Sequence, residues 1–368
     1  MKDMFAKIKK KIFTKEFIMQ SFFVSLLLVF FLFLFANQFS LHYWINGFSK
    51  MYKNDLQVYF LDVGQANSTL IIFPNKMSML VDAGSQKSED QFIKSVDHIL
   101  HKNGINEIEY LILTHSDEDH IGGTKRLLEK FDVCNILRPK VLANFENSKY
   151  DYNYVTTDIY TETISAVYEE PNCTKNFIED DVLKFGSVKV EIFSCNQDTY
   201  SDTNSYSPFV LIEYENKSFL LTGDATEKRE KEFVSDLAYE NRKVDIDYLL
   251  VSHHGSKYST TESFLNAITP NFAFVSCEKD YYPSVDVKER LENVGVEKIY
   301  NTRDSGTIAV GVKSDSQILL YFKIYFDFPF AFVCASVVCF VFLKYPIVKK
   351  MKFRDKKQIF LKKIEKKY

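Results

Sequence analysis

Apolar runs divide the chain into two uncharged stretches near its ends and a longer middle part of short alternating segments. Residues 17–41 carry no charge, and a transmembrane helix takes about 20 apolar residues. A second apolar run, residues 328–343, extends back to residue 324 across Asp327. We predict a transmembrane anchor over residues 17–41 and a second span over 324–343. The alternatives are a cleaved signal peptide for the first run and, for the second, a strand leading into an interfacial segment.

The charged residues predict how these runs are oriented. Residues 1–16 contain six lysines and residues 344–368 eleven lysines or arginines, with two acidic residues in each segment. By the positive-inside rule, both basic ends are expected in the cytoplasm, as a short N-terminus and a tail. The middle domain, residues 50–323, is then expected outside the cytoplasm, at a membrane that we expect to be bacterial.

The part between the basic ends is strongly acidic. It retains 29 basic and 45 acidic side chains, a net charge of −16. Lys and Arg supply most of the non-specific affinity of a protein for nucleic acid. The composition therefore weakens any hypothesis that depends on tight, non-specific DNA binding.

Within the middle domain, the spacing of apolar residues predicts a mixed α/β fold. Residues 92–100 carry apolar side chains at helical spacing, which is typical of an amphipathic helix laid on a sheet. The four residues from Ser259 to Glu262 match a capping box and predict a helix start there. Other helices are predicted at 124–131 and 226–237, and strands at 56–62, 69–73, 79–81, 108–113, 133–137, 182–186, 188–193, 209–214, 219–222 and 246–251.

One loop, between the strand predicted at 108–113 and the helix at 124–131, concentrates the candidate chemistry. Four potential metal ligands fall within six positions: His115, Asp117, Asp119 and His120. Imidazole nitrogens and carboxylate oxygens bind a divalent ion at about 2.0–2.2 Å, and a loop after a strand can turn several short side chains inward. The alternative is a solvated turn whose aspartates cap the following helix.

This loop resembles the H-x-[HD]-x-D-H motif of metallo-β-lactamase-fold hydrolases, in the variant usual in the extracytoplasmic domain of ComEC-type competence proteins. Five other segments match in the same order: Phe60 to Gln65, Leu80 to Gly84, Leu221 to Asp224, Ser252 to Ser256 and Asp304 to Ile308. The resemblance covers about residues 56 to 323. It implies an α/β fold, the αββα sandwich with two face-to-face sheets, helices outside and a site at one edge. The two predicted transmembrane helices would flank this sandwich.

The resemblance also implies a set of functional residues around two divalent metals, zinc or, in the oxygen-rich first site, manganese. The expected ligands of one metal are His115, Asp117 and Asp224. The expected ligands of the other are Asp119, His120, His253 and Asp224. The residues expected to act in catalysis are Asp119 and His254. The residues expected at the substrate or behind the ligands are Asp62, Gln65, Asn67, Asp82, Asn204 and Ser256.

The sequence departs from the family pattern at several positions. Asn67 stands where the family usually has Asp, and Tyr282 and Ser284 replace the two histidines of a common Gly-His-Pro-His run. A histidine that many relatives have near Asn204 is missing as well. The first metal is therefore expected to be weakly held or absent, and Asn204 has a turn role as its alternative.

The function expected from these features is that of a membrane-anchored, metal-dependent hydrolase, related to the domain that acts on DNA during uptake in competence. Its expected partners are the membrane and a nucleic acid or other phosphodiester substrate. One alternative is hydrolysis of a carboxylic ester, a lactone or a phosphocholine-like group, which an acidic surface tolerates better. Another is a non-catalytic membrane protein with a structural metal site, which the changes at Asn67, Tyr282 and Ser284 favour.

Overall fold

The computed structural model describes residues 24–25, 55–147, 152–312 and 318–322. The described residues from 55 onwards all belong to one unit of the chain, Gly47–Lys323. Both predicted membrane spans and both basic ends lie outside the described residues, apart from 24–25. Within the described part of the chain, no helix is both long enough and apolar enough to cross a membrane.

The described part consists of seventeen strands and eight α-helices. The strands are β1 (Leu56–Phe60), β2 (Thr69–Ile72), β3 (Ser78–Val81), β4 (Glu107–Ile112), β5 (Asp132–Arg138), β6 (Val141–Ala143), β7 (Asn153–Val155), β8 (Thr174–Phe177), β9 (Asp181–Phe185), β10 (Val188–Phe193), β11 (Phe209–Tyr214), β12 (Lys217–Leu221), β13 (Tyr248–Leu250), β14 (Phe272–Val275), β15 (Lys298–Asn301), β16 (Ile308–Val312) and β17 (Ile318–Phe322). The helices are α1 (Glu89–Asn103), α2 (Glu118–Ile121), α3 (Thr124–Leu128), α4 (Asp158–Glu169), α5 (Glu227–Tyr239), α6 (Glu262–Ile268), α7 (Val285–Asn293) and α8 (Thr302–Ser305).

Two large sheets form the middle of the fold. The first has eight strands in the order β17-β16-β1-β2-β3-β4-β5-β8, and the second has seven in the order β15-β14-β13-β12-β11-β10-β9. In each sheet a run of parallel strands, β3-β4-β5-β8 and β12-β13-β14-β15, adjoins a run of antiparallel strands. Strands β6 and β7 form a small separate sheet.

The alternation of side chains along each strand separates three apolar layers. On β12, Phe219 and Leu221 point into the layer between the two sheets, while Leu220 points to the helices on the other side. Phe60 of the first sheet stacks on Phe274 of the second with ring centroids 4.4 Å apart. The outer layers lie under α1, α3 and α4 on one side and under α5, α6 and α7 on the other. The αββα layering implied by the resemblance is therefore present.

One local expectation differs from the structure. Helix α6 is capped by Thr261, whose hydroxyl accepts a hydrogen bond from Phe264 N, so the capping box expected to start at Ser259 is wrong. Glu262 becomes the first helical residue, because the backbone at Thr260 takes a positive φ of 53°. The polar, tyrosine-rich region around residues 149–160 also contributes β7 and the start of α4, whose buried Tyr160 and Ile164 pack on the first sheet.

Candidate metal centre

Loops that follow parallel strands bring the polar motif residues together. Strands β3 and β4 are parallel neighbours in one sheet, and β12 and β13 are parallel neighbours in the other. The carboxyl ends of parallel strands meet at the same edge of a sheet. Asp82 follows β3, residues 115–120 follow β4, Asp224 follows β12, and His253 and His254 follow β13. The structure thus gathers residues that lie far apart in the sequence.

Close backbone packing shapes the loop after β4. A Cβ on Gly122 would lie 2.3 Å from Gln86 N, and a Cβ on Gly123 would lie 2.3 Å from Ala83 O. Ala83 N donates a hydrogen bond to His120 O at 2.7 Å. The loop after β3 therefore lies directly against the motif loop, and only glycine leaves room for this approach.

Side chains from both sheets face one small volume. His120 Nε2 lies 3.0 Å from Asp224 Oδ1, and His254 Nε2 lies 3.3 Å from Asp119 Oδ2 and 3.6 Å from Asp224 Oδ2. Oxygen and nitrogen ligands of one tetrahedral ion, each bound at about 2.0–2.2 Å, are about 3.3–3.6 Å apart. Two overlapping groups place their candidate ligand atoms within 4.8 Å of one another: His115, His120 and Asp224, and Asp119, His120 and His254.

Each buried imidazole is held by a hydrogen bond at Nδ1. His120 Nδ1 lies 2.6 Å from Asp82 Oδ2, and His254 Nδ1 lies 2.8 Å from Ser276 O. His115 Nδ1 lies 3.0 Å from Thr114 Oγ1. Because a carboxylate or carbonyl can only accept, Nδ1 of His120 and of His254 carries a proton, and a metal ion at either ring would bind at Nε2. Metal-binding histidines have this arrangement, since a partner at one nitrogen orients the other toward the ion.

The buried Nε2 atoms test whether these residues fit a metal ion. Among the described residues, Nε2 of His115, His120 and His254 is shielded from solvent without a well-formed hydrogen bond, and the carboxylates of Asp224 and Asp119 lie 3.0 and 3.3 Å from the Nε2 atoms of His120 and His254. Burying polar atoms without well-formed hydrogen bonds costs free energy, and bound divalent cations would satisfy these nitrogens and carboxylates together. Burial and the charge on His120 also lower the pKa of His115, which favours its neutral, ligating form.

Electrostatic coupling keeps the two carboxylates of this centre ionised. Burial by itself would raise the pKa of Asp224, but the imidazoles of His120 and His254 hold it well below its usual value. Burial also acts to raise the pKa of Asp119, yet the neighbouring His254 and His120 bring it to about 2. Burial acts to lower the pKa of His120, and the carboxylates of Asp224 and Asp82 outweigh it and raise that pKa well above the usual value.

The two adjacent histidines after β13 occupy different positions. Both have positive φ, 52° for His253 and 55° for His254, and this turn points their side chains apart. The His254 side chain is 4% exposed and contacts Asp119 and Asp224. The His253 side chain is 30% exposed, and its Nε2 lies 3.7 Å from Asp224 Oδ2. The geometry therefore assigns His254, which we expected in catalysis, the inner position that we expected for His253.

The carboxylate of Asp82 accepts several hydrogen bonds from the motif loop. Its carboxylate accepts from Thr114 N at 2.8 Å, from Thr114 Oγ1 at 2.9 Å and from His120 Nδ1. Asp82 is 1% exposed and takes a φ of 62°. It lies behind the candidate ligands.

Asn67 also donates hydrogen bonds to residues of the centre. Its Nδ2 donates to Asp224 Oδ1 at 3.2 Å, and its backbone N donates to Asp119 O at 3.0 Å. An amide at this position can donate to the Asp224 carboxylate, whereas an ionised aspartate could only repel it. Asn67 therefore makes a contact with the centre that an ionised aspartate at this position could not make.

Three other predicted residues make contacts in the loops around the centre. Gln65 Oε1 accepts hydrogen bonds from Glu278 N and Lys279 N, both at 3.2 Å, and so holds the loop after β14. The backbone of Asp62 accepts from Gln91 Nε2 at 2.8 Å. The backbone of Ser256 donates to His253 O at 2.8 Å.

Asn204 begins a short 3₁₀ turn, Asn204–Tyr206. The carbonyl of Asn204 accepts a hydrogen bond from Ser207 N at 3.0 Å. Its side-chain oxygen is shielded from solvent and has no hydrogen-bond partner in the described part of the chain. The turn role given as an alternative is therefore present.

Three hydroxyl groups behind the centre were not predicted from the sequence. Thr203 Oγ1 donates to Asp117 Oδ1 at 2.7 Å. Ser207 Oγ lies 3.4 Å from His115 Nδ1 and accepts from Asp224 N at 3.2 Å. Thr114, the third, immediately precedes the motif, and that adjacency was the available signal. Thr203 and Ser207 lie about ninety residues from the motif, so sequence spacing did not indicate them.

Tyr282 and Ser284, which stand in place of two histidines of the family pattern, flank Pro283 next to the turn after β13. Ser284 N donates to Gly255 O at 2.9 Å, and Ser284 Oγ caps α7 by accepting from Val287 N at 3.3 Å. A Cβ on Gly255 would lie 2.4 Å from Pro283 Cβ. Ser284 thus supports the backbone beside the centre.

Comparison with known families agrees with this geometry. Residues 61–278 match the model of the Metallo-beta-lactamase superfamily. The chain belongs to this superfamily, whose members are generally metal-dependent hydrolases.

Within that class, the chain is similar to ComEC-type competence proteins. It is 27% identical over 274 residues to ComE operon protein 3 of Bacillus subtilis, covering 70% of this chain and 33% of that protein. It is 30% identical over 272 residues to Recombination protein 2 of Haemophilus influenzae, covering 73% and 30% of the two chains. It is 23% identical over 263 residues to Competence protein ComA of Neisseria gonorrhoeae, covering 71% and 33%. The chain spans about a third of the length of these curated relatives.

Proposed function

We propose that the chain is a metal-dependent phosphodiesterase that cleaves nucleic acid. The observation that carries this proposal is the convergence of three buried Nε2 atoms, none with a well-formed hydrogen bond, on the carboxylates of Asp119 and Asp224. Similarity to proteins named for competence and recombination supports DNA as the substrate. The site itself supports hydrolysis of an anionic ester, because cations held there would offset the charge of the phosphodiester.

The proposed ligands of one ion are His115, Asp117 and Asp224, and those of the other are Asp119, His120, His254 and Asp224. This assignment exchanges the two roles first expected for His253 and His254. When bound, divalent ions such as zinc or manganese would lower the pKa of an attacking water and neutralise charge on the attacked ester. Asp224 would be shared by the two ions in this assignment, since its ligand atom lies within 4.8 Å of those of His115 and His120, which belong to different proposed sites.

The residues of the chain itself orient these groups. Asp82 and the carbonyl of Ser276 hold protons on Nδ1 of His120 and His254, which leaves each Nε2 free to ligate. Asn67 donates to Asp224 and so fixes the direction of its carboxylate. His253 is more exposed than His254, and we assign it the contact with substrate.

Measurement of metal content together with hydrolysis tests this proposal. The full chain would be analysed for metals and assayed with bis-p-nitrophenyl phosphate, p-nitrophenyl acetate and p-nitrophenylphosphorylcholine. We expect bound divalent metal and cleavage of the phosphodiester, both lost in Asp119→Ala and His120→Ala. The matched control is His101→Ala, because His101 lies in the last turn of α1, away from the centre.

The other outcomes separate the alternatives. Cleavage of the acetate or of the phosphorylcholine ester alone would favour a hydrolase of another bond. Metal without activity on any of the three substrates would favour a structural metal site. A chain without metal that still hydrolyses the phosphodiester would contradict the assignment of the ligands.

We further propose that the domain is membrane-anchored by residues 17–41 and 324–343, with the catalytic part outside the cytoplasm. The apolar runs and the basic residues that follow or precede them support this topology. Protease treatment of intact cells tests it, since an exterior domain is digested while the basic ends are protected. Protection of the whole chain would contradict the proposed topology.

A further inference from the structure

We propose that a cavity beside the metal centre binds one nucleobase of a single-stranded nucleic acid, with the ring of Tyr154 as its stacking face. The cavity has a volume of about 380 Å³, near the lower end of the range of about 300–1,000 Å³ for small-molecule sites. This inference rests on the proposed function, because the base would belong to the phosphodiester held at the centre. The lining residues are Val141, Asn153, Tyr154, Val155, Tyr200, Ser201, Asp202, Thr203 and Tyr206.

A single hydrogen bond links the cavity to the centre. Thr203 lines the cavity, and its Oγ1 donates to Asp117 Oδ1 at 2.7 Å. Asp117 in turn lies 3.9 Å from His115 Nε2, measured from its Oδ2. A phosphate at the centre and a ring in the cavity can therefore belong to the same nucleotide strand.

The lining excludes a phosphate and suits a neutral ring. None of the described residues that line the cavity is basic, and Asp202 carries a carboxylate at its rim. A second phosphate group would be repelled there, whereas every nucleobase has an uncharged π-face that stacks on aromatic side chains. Tyr154 is 52% exposed, so its ring is available for such a contact.

The other aromatic residues that line the cavity are held in place by hydrogen bonds. Tyr206 Oη accepts hydrogen bonds from Asn153 Nδ2 at 2.7 Å and from Tyr200 N at 3.0 Å. The rings of Tyr200 and Tyr206 lie 5.1 Å apart at an interplanar angle of 78°. Tyr200 Oη donates to Glu232 Oε2 at 2.7 Å. Because these groups are already paired, a base entering the cavity has few side chains to immobilise.

A kinetic comparison of substrates with and without bases tests the proposal. The full chain would be assayed with a single-stranded thymidine oligonucleotide and with one of equal length whose bases are replaced by abasic sites. In Tyr154→Ala we expect KM for the thymidine oligonucleotide to rise about 5- to 160-fold, the range given by base stacking. We expect kcat, and KM for the abasic strand, to stay unchanged.

Two further variants separate stacking from a general loss of structure. Tyr154→Phe keeps the aromatic face and should retain the wild-type KM. Tyr239→Ala removes a tyrosine that is 94% exposed on α5, outside the cavity, and should behave like the wild type. An equal KM for Tyr154→Ala and wild type on the thymidine strand would overturn the proposal, as would equal losses on both strands.

A binding measurement distinguishes this inference from the proposed function. The neutral nucleoside 2-aminopurine deoxyriboside would be titrated with the metal-free full chain, and its fluorescence should be quenched by wild type and Tyr154→Phe but not by Tyr154→Ala. Quenching without any phosphodiester cleavage would support the base site and overturn the phosphodiesterase. Cleavage without quenching would support the phosphodiesterase and overturn the base site.

Discussion

The two halves of the candidate metal centre differ in the groups that support them. The first half consists of His115 and Asp117, which contact the hydroxyls of Thr114 and Thr203. The second half consists of Asp119, His120 and His254. Its histidines are held by the carboxylate of Asp82 and the carbonyl of Ser276.

Burial does not separate the two halves. In each half the carboxylate is the partly exposed member, Asp117 at 42% and Asp119 at 33%, whereas the side chains of His115, His120 and His254 are 0%, 0% and 4% exposed. A hydrogen bond to an ionised partner is about twice as strong as one between neutral groups, and it is stronger still when it is buried. Hydrogen bonds from residues remote in the sequence, more than the number of ligands in the motif, would therefore decide which half binds its metal ion tightly. We expect the second half to bind its ion more tightly.

The largest effect is expected from the two adjacent histidines. His254→Ala removes an inner ligand of the second half, and we expect hydrolysis to fall more than about 100-fold, beyond the losses of about 10- to 100-fold seen when a supporting residue is removed. His253→Ala, its matched control, should cost at least about ten times less. Metal analysis of both variants checks the cause, and equal losses in the two would contradict the exchanged roles.

A smaller effect is expected from the group behind the second half. Asp82→Asn replaces the acceptor of His120 Nδ1–H, so we expect metal affinity to fall about 10- to 100-fold. Competition with a chelator of known affinity measures the change, and thermal unfolding shows whether the fold is retained. If affinity is unchanged in a folded variant, the carboxylate does not orient the ligand.

A still smaller effect is expected in the first half. Thr203→Val removes the hydroxyl that donates to the partly exposed Asp117, and we expect the weaker metal to lose about 3- to 10-fold in affinity, since one hydrogen bond contributes about 0.5–1.5 kcal/mol. The tighter metal should be unaffected. Stepwise titration of the metal-free chain with a divalent metal resolves the two affinities. A loss of affinity at the tighter position would contradict the assignment of Thr203 and Asp117 to the weaker one.

The last prediction concerns stability rather than metal. Glu230 accepts hydrogen bonds from Thr260 N, Thr261 N and Thr261 Oγ1, in the segment that follows the turn of the second half. Burial raises its pKa from 4.5 to about 7 in spite of these bonds. A raised carboxyl pKa gives a contribution that is fully present below about 4.5 and is lost as pH rises through about 7.

We therefore expect Glu230 to reduce the free energy of unfolding by about 3 kcal/mol at most between these pH values, at 1.36 kcal/mol per pKa unit. Denaturant unfolding of the full chain across this range measures the slope. In Glu230→Gln the slope should flatten, and an unchanged slope would show that another group titrates.

The sequence carried enough information for most elements of the fold. Strand β11 was predicted with its observed bounds, Phe209–Tyr214, because a short apolar run, interrupted only at Glu213, is typical of a strand buried on both faces. The ends of α6 were less accessible, since its cap depends on how residue 230 of another helix holds Thr260 and Thr261. Backbone conformations imposed by such remote contacts leave little trace in local composition.

For the candidate site, the sequence alone determined the density of ligand types from His115 to His120 and the motifs that end strands with Asp82 and Asp224. Their chemistry is local, because a loop of six residues can turn several short side chains to one point. Only the tertiary structure decided that His254 lies inside and His253 outside, because a turn with positive φ at both residues sets their directions. Hydrogen bonds across 32 to 92 residues, such as those that Thr114 and Ser207 make, exist only after the strands of the first sheet have paired and the two sheets have packed.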